Sequence, residues 1–298
     1  MEARRVTVIG GANTDICGRP AAPLVRHDSN PGRITLRQGG VGRNIACDLA
    51  LLGLRVRLIA AIGEDALGLS VLEDCRARGV DTSLCRRVKG EASSVYLYVT
   101  DERGEMELGV ADMDVTARLT PDFLAHELRE INASDAVVID GNLPAETIAW
   151  LAGHVTAPLY ADPVSTAKAP RLKEALGSLA AVKPNLLEAR ALTGREQAED
   201  CAAALLAAGV GRVFISLGAD GILAAEGEER IRLPRIPAEL VNTNGAGDAA
   251  TAAIVWASVQ GLDLAAAALA ADRAGAITVA SEETNSPRLT PEALLADV

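Results

Sequence analysis

The segment Asn242-Thr243-Asn244-Gly245-Ala246-Gly247-Asp248, followed by AATAAIVWASVQ, carries the residue types that phosphoryl transfer needs. A Gly-Ala-Gly turn at a helix N-terminus leaves main-chain N–H groups uncovered. The helix dipole adds partial positive charge there, so the turn forms an anion hole. Asp248 falls in the first helical turn, beside that hole. Its carboxylate could accept the proton of an attacking hydroxyl while the N–H groups of Gly245, Ala246 and Gly247 hold the developing charge. Taken alone, the motif reads equally well as a tight loop with an aspartate complementing the dipole.

Four further groups of residues could bind ligands. Gly39-Gly40-Val41-Gly42-Arg43-Asn44 opens a helix, and its glycines let a ligand approach the backbone. Asn44 can donate to and accept from sugar hydroxyls. Asn13 and Asp15 follow the first strand, at a ligand-facing position of an open α/β sheet, where they could grip a diol. Lys183-Pro184-Asn185-Leu186-Leu187-Glu188 sits at another strand-to-helix junction. Glu188 could orient a metal-bound water, or it could simply complete a capping box with Asn185. Ser216-Leu217-Gly218-Ala219-Asp220-Gly221 could pass beside a nucleotide or form a hairpin turn. There is no Gly-Lys-Ser/Thr of a Walker A loop, no GxGxxG and no GxSxG. The three histidines have no ligand spacing.

These groups need a scaffold that brings strand ends together. Strand signals fall at Arg4–Gly10, Arg55–Ile62, Ala136–Asp140, Leu159–Asp162, Ala180–Lys183 and Arg212–Leu217. Helical stretches lie at Gly42–Leu52 and Ala66–Arg78, and at 144–153, 168–176, 186–193 and 198–208. This alternation predicts an α/β fold: a mainly parallel sheet in a three-layer α/β/α sandwich. Ser93–Thr100 and Glu105–Val110 break the rhythm as two strands with no helix between them. We expect one domain over residues 1–298, with a small β-lid formed by about 15–38 and 83–113.

Composition excludes other classes. The 298 residues are 49% hydrophobic but only 2% aromatic, so the core rests on Ala, Leu, Val and Ile. A net charge of −11 argues against nucleic-acid polymers and anionic membranes as partners. Five scattered cysteines without a CxxC pair point to a reducing, cytoplasmic setting. The apolar run after the N-terminus is too short for a signal segment.

Taken together, the two glycine-rich signatures and the Asn185–Glu188 pair resemble the ribokinase-like (PfkB) carbohydrate kinases along nearly the whole chain. Gly11–Asp15, Asp28–Ile34, Gly39–Ala46, Asp112-Met113, Asp162–Ser165 and Thr284-Asn285 are most similar to the pseudouridine kinase branch. The resemblance implies ATP-dependent phosphorylation of the 5′-hydroxyl of pseudouridine, Mg²⁺, and a homodimer formed through the lid. It assigns Asn13, Asp15, Gly39, Gly40, Asn44, Asp112 and Met113 to the nucleoside. Asn185, Ser216, Gly218, Gly221, Thr243, Gly245 and Gly247 fall to the nucleotide, Glu188 to a water-held metal, and Asp248 to the base. Asn242 and Asn244 depart from the family's Asp and Thr, which weakens the pull on a monovalent cation such as K⁺. The competing expectations are another sugar or nucleoside kinase (ribokinase, fructokinase, adenosine/inosine kinase) and a non-catalytic nucleoside-binding protein.

Overall fold

The run Val6-Thr7-Val8-Ile9 makes β1 (Arg5–Ile9), a strand buried along nearly its whole length in the computed structural model, which describes residues 3–296. The chain then leaves the main layer as β2 (Asn13–Pro20) and comes back as β3 (Gly32–Gly39). Helix α1 (Val41–Leu51) starts one residue later. It leads to β4 (Arg55–Ile59), β5 (Ala61–Gly63) and α2 (Ala66–Ala77), whose first turn is capped by the Asp65 carboxylate. Three short strands follow: β6 (Arg86–Val88), β7 (Val95–Thr100) and β8 (Met106–Asp112).

From there the alternation is regular. Thr120 caps α3 (Pro121–Asn132), with Pro121 at its first position, where a missing N–H costs nothing. Next come β9 (Ala136–Asp140), α4 (Ala145–His154), β10 (Leu159–Asp162) and β11 (Leu179–Val182). They are followed by α5 (Leu186–Thr193), α6 (Ala198–Ala207) and β12 (Arg212–Ser216). The edge hairpin is β13 (Ile222–Glu226) and β14 (Glu229–Leu233). Helices α7 (Ala246–Val259), α8 (Leu264–Val279) and α9 (Pro291–Leu295) complete the order.

The main sheet runs β14-β13-β12-β11-β10-β9-β1-β4. All pairs from β4 to β12 are parallel, and β13 and β14 add an antiparallel edge. One face packs on α1, α2, α7 and α8 through residues such as Ile45, Val71 and Trp256. The other packs on α3 to α6 through Leu124, Leu151 and Leu205. The α7–α8 contact is built from alanines, among them Ala249, Ala253, Ala267 and Ala271, all buried. Small side chains let these helices approach closely, so the core closes with few aromatic rings.

The expected fold class holds, with three local corrections. The run 55–62 is not one strand. After Ile59 the chain turns out of the main sheet, and β5 pairs with β6 in a separate two-stranded sheet. Residues 83–94 therefore lie outside the lid. The lid is a four-stranded sheet, β3-β2-β7-β8. The stretch 168–176 is not α-helical but a 3₁₀ segment, Ala169–Ser178. Pro170 removes a donor there, and three-residue bonds such as Arg171 N to Lys168 O at 2.9 Å take over.

The order reverses at β1. The chain winds outward from β1 to β4, then returns to β9 on the other side of β1. At such a switch point the loops beyond the strand ends splay apart and leave a crevice.

Candidate active site

Asp140, the last residue of β9, organises the crevice. Its carboxylate is fully buried and accepts from Gly11 N at 2.9 Å and Gly42 N at 2.8 Å. It therefore ties the turn after β1 to the first turn of α1. Burial pushes its pKa up, and the hydrogen bonds from Gly11 and Asn142 act against that rise. Gly40 must be glycine: its φ is 98°, and a Cβ there would lie 2.6 Å from Ala12 Cα. This close approach sets the start of α1 directly against the turn after β1.

Asn13 and Asp15 are the first and third residues of β2. Asn13 Nδ2 donates to Asp15 Oδ1 at 2.7 Å. A Cβ on Gly39 would lie 2.5 Å from the Asp15 carboxylate, so the paired strand presses directly on it. Across the crevice, Asn44 Nδ2 donates to Asp248 Oδ2 at 2.8 Å. The two glycine-rich segments, 204 residues apart in sequence, thus meet through a carboxamide–carboxylate bond.

Asp248 occupies the third position of α7, after Gly245 in the left-handed conformation (φ 83°). It is half-buried and opens onto a cavity of about 540 Å³. Its pKa is raised to about 7 by burial and by the nearby charge of Asp162, against the Asn44 bond and the Lys183 ammonium. A general base is most effective when poised near the working pH in this way.

Of the residues assigned above to the nucleotide, Asn185, Ser216, Gly218, Gly221, Thr243 and Gly247 line that same cavity and Gly245 does not. Glu188 lines it too. Asn185 and Glu188 also form the full capping box: Glu188 N donates to Asn185 Oδ1, and Asn185 N donates to Glu188 Oε2, both at 2.9 Å. The local reading and the site reading therefore coexist. The stretch Gly218–Asp220 is a short 3₁₀ turn between β12 and the antiparallel β13, so it is both a hairpin connection and a cavity wall.

None of the residues assigned above to the nucleoside (Asn13, Asp15, Gly39, Gly40, Asn44, Asp112 and Met113) lines this cavity; Asn44 reaches its edge through the bond to Asp248. Asp112 ends β8 and is exposed. Met113 lines a separate cavity of about 360 Å³ with Asn142, Lys168 and Arg171. Asn242 and Asn244 bond to each other, Asn244 N donating to Asn242 Oδ1 at 3.0 Å.

Sequence reasoning assigned no role to three participants. Asp140 is one. Asp162, at the end of β10, accepts from Thr251 Oγ1 at 2.7 Å and pairs with Lys183 Nζ at 3.3 Å. Lys183 is almost fully buried. Burial opposes its charge, but the carboxylates of Asp162, Glu188 and Asp248 more than offset this and raise its pKa. A Cβ on Gly247 would lie 3.2 Å from Lys183 Nζ, which puts the ammonium against the anion hole. The available signal was a charged residue directly closing, or following, an all-apolar parallel strand. Val164 adds backbone strain: its φ is 69°, rare for a β-branched residue, and its N–H donates to Asp162 Oδ1 at 2.8 Å.

The profile of the pfkB family carbohydrate kinases matches residues 3–291. The chain belongs to that family. This kinase is 36% identical to the pseudouridine kinase of Escherichia coli K12 over 293 residues, 96% of this chain and 93% of the relative. A carbohydrate kinase from Agrobacterium tumefaciens superposes with a TM-score of 0.88 at 32% identity, covering 98% and 96% of the two chains. The Arabidopsis thaliana ribokinase complexed with ribose and ATP superposes with a TM-score of 0.85 at 24% identity, covering 98% of each. The kinase is accordingly a phosphotransferase acting on a hydroxyl group, on the ribokinase-like fold with its additional lid sheet. Among the described residues, no helix is long and apolar enough to cross a membrane.

Proposed function

We propose that this kinase transfers the γ-phosphoryl group of ATP to the 5′-hydroxyl of pseudouridine. The observation that carries the reading is the Asn44–Asp248 bond, which joins a carboxamide at the start of α1 to a carboxylate whose pKa is raised to about 7 beside the Gly-Ala-Gly turn. Pseudouridine as acceptor is supported by the similarity to the Escherichia coli enzyme of that name.

In this mechanism Asn13, Asp15 and Asn44 hold the ribose, and Asp248 orients the primary hydroxyl and takes its proton. The hydroxyl oxygen bonds to the γ-phosphorus as the bond to the β–γ bridging oxygen breaks, and ADP leaves. The N–H groups of Ala246 and Gly247, with Lys183, face the charge on the transferring group. The residues present fit a divalent cation arriving with the triphosphate. Asp162, Glu188 and Asp248 set three carboxylates against one lysine, an acidic wall that a cation would balance. Among the described residues no three ligating side chains cluster tightly enough to hold a metal alone. Glu188 and Asp162 would hold Mg²⁺ through water, as magnesium prefers; the ion supplies charge neutralisation when bound. Asn242, without formal charge, gives K⁺ little extra attraction.

A panel of pseudouridine, uridine, ribose, adenosine and fructose with ATP tests the substrate. The expected result is the highest kcat/KM for pseudouridine. Robust ribose or fructose turnover with none on pseudouridine would reassign this protein within its family.

The lid supports association of two copies. Cross-strand register puts Leu36, Ile16, Leu97 and Val110 in one row, and Ile34, Val99 and Leu108 in the next. Ile34, Leu36, Leu97, Leu108 and Val110 are exposed, forming an apolar face opposite to the one that carries Asp15. A two-fold dimer would bring this same face of both copies together. Sedimentation velocity is expected to give a dimer, and Leu36→Lys with Val110→Lys a monomer. A wild-type monomer at micromolar concentration would remove this assignment.

A further inference from the structure

Behind the catalytic pair lies a buried polar network that the transfer reaction does not itself use. Arg43 is only 2% exposed. Its Nη1 donates to Asn44 Oδ1 at 2.9 Å and to Asn285 Oδ1. Its Nη2 donates to Asp74 on α2. Asn285 Nδ2 in turn donates to Asn44 O at 3.0 Å and to Asp48 Oδ1 at 2.8 Å. The residue before it, Thr284, backs the anion hole: a Cβ on Gly245 would lie 2.7 Å from the Thr284 carbonyl oxygen.

We propose that Arg43 and Asn285 are positioning residues that fix the carboxamide of Asn44, so that its NH₂ end, and not its oxygen, faces Asp248.

A carboxamide has one accepting and one donating end. With Asn44 Oδ1 occupied by the guanidinium, only the donating end remains for the carboxylate. A charged, planar donor suits this task because it cannot lose its proton and cannot itself accept. The arrangement also carries a cost. Asp48 Oδ2 and Arg43 Nε are buried without a hydrogen-bond partner. An apolar pair would fill this space without that penalty, so the polar groups call for a role other than packing.

The inference rests on Asp248 acting as the base. The groups facing Asp248 are Asn44 and Asp48 from α1, Asp140 from β9, Asp162 from β10 and Lys183 beyond β11. Among these, the Asn44 bond and Lys183 favour the ionised carboxylate. Loosening Asn44 therefore makes Asp248 harder to ionise, and the acid limb of kcat/KM moves to higher pH.

The test compares pH–rate profiles of Arg43→Met and Asn285→Ala with wild type, alongside a control, Cys75→Ala. Cys75 is buried on α2 next to Asp74 but holds neither Asn44 nor Asp248. Both network variants are expected to shift the acid limb upward by about one pH unit, the size of one hydrogen bond to a charged group. Their KM for ATP should be unchanged. Cys75→Ala should lower thermal stability without moving the limb. Arg43→Lys, which keeps the buried charge, should shift it in the same direction by less, and decides the matter if the truncations do not fold. An unmoved limb in the folded variants, or an equal shift in Cys75→Ala, overturns the proposal. If instead Asp248→Asn retains turnover, the underlying assignment of the base is what fails.

Discussion

Replacing Asp248 with asparagine should lower kcat by about a hundredfold or more, the range typical of a lost general base. Substrate binding should be largely kept, because asparagine retains a hydrogen-bonding oxygen of similar size at the same helical position. A coupled ADP-release assay reads this directly, and near-normal turnover would remove Asp248 from its role. The same residue sets a pH dependence. With its pKa raised to about 7, the carboxylate loses its proton as pH rises through neutrality, so wild-type kcat/KM should climb through about pH 7 and level off above it. Stability should run the other way. Between the ordinary aspartate range near 4 and about 7, the folded protein keeps a proton that the unfolded chain releases. Ionising Asp248 therefore erodes stability progressively across that window. Asparagine has no proton to lose. The Asp248→Asn protein should melt higher than wild type at pH 8, with the gap closing toward pH 4. A variant that is both inactive and more stable is the signature of a group held at its site against folding.

Gly245→Ala should be comparably damaging to catalysis, through geometry alone. The residue sits at φ 83°, and the added methyl would lie 2.5 Å from Thr284 Cγ2 and 2.7 Å from Thr284 O. Part of that obstruction is backbone, which cannot swing aside, so the turn must shift. The N–H groups at the start of α7 would then miss the transferring phosphoryl oxygens, a loss of roughly a hundredfold by analogy with removing one oxyanion donor. Gly247→Ala is the matched comparison. Its methyl would meet only Lys183 Nζ at 3.2 Å, the tip of a flexible side chain. We expect a severalfold smaller effect on kcat there. Equal losses in the two variants would mean that the helix start tolerates displacement and that the anion hole contributes little.

What could be read in advance follows from how each feature is encoded. The parallel sheet was legible because a strand buried on both faces is written as an apolar run, as in Ala136–Asp140. The glycine-rich turns were legible because positive φ and close contact narrow the choice of residue. Arg43 was not. On paper it is one arginine in a helix start, and only folding brings Asn285 to it from 242 residues away. Lys183 and Asp162 stayed hidden for the same reason, since an ion pair between neighbouring strand ends leaves no periodic trace. The break between β4 and β5 was invisible because Ala60, Ala61 and Ile62 are apolar in either sheet.

The lid strands begin and end on the residues that would hold the sugar. Asn13 opens β2, and Gly39 closes β3 one residue before the cap of α1. A flap rooted in its own binding groups cannot tilt without disturbing them. Binding of the acceptor and any tilt of the flap are therefore expected to be mechanically linked, because both would act on Asn13 and Gly39.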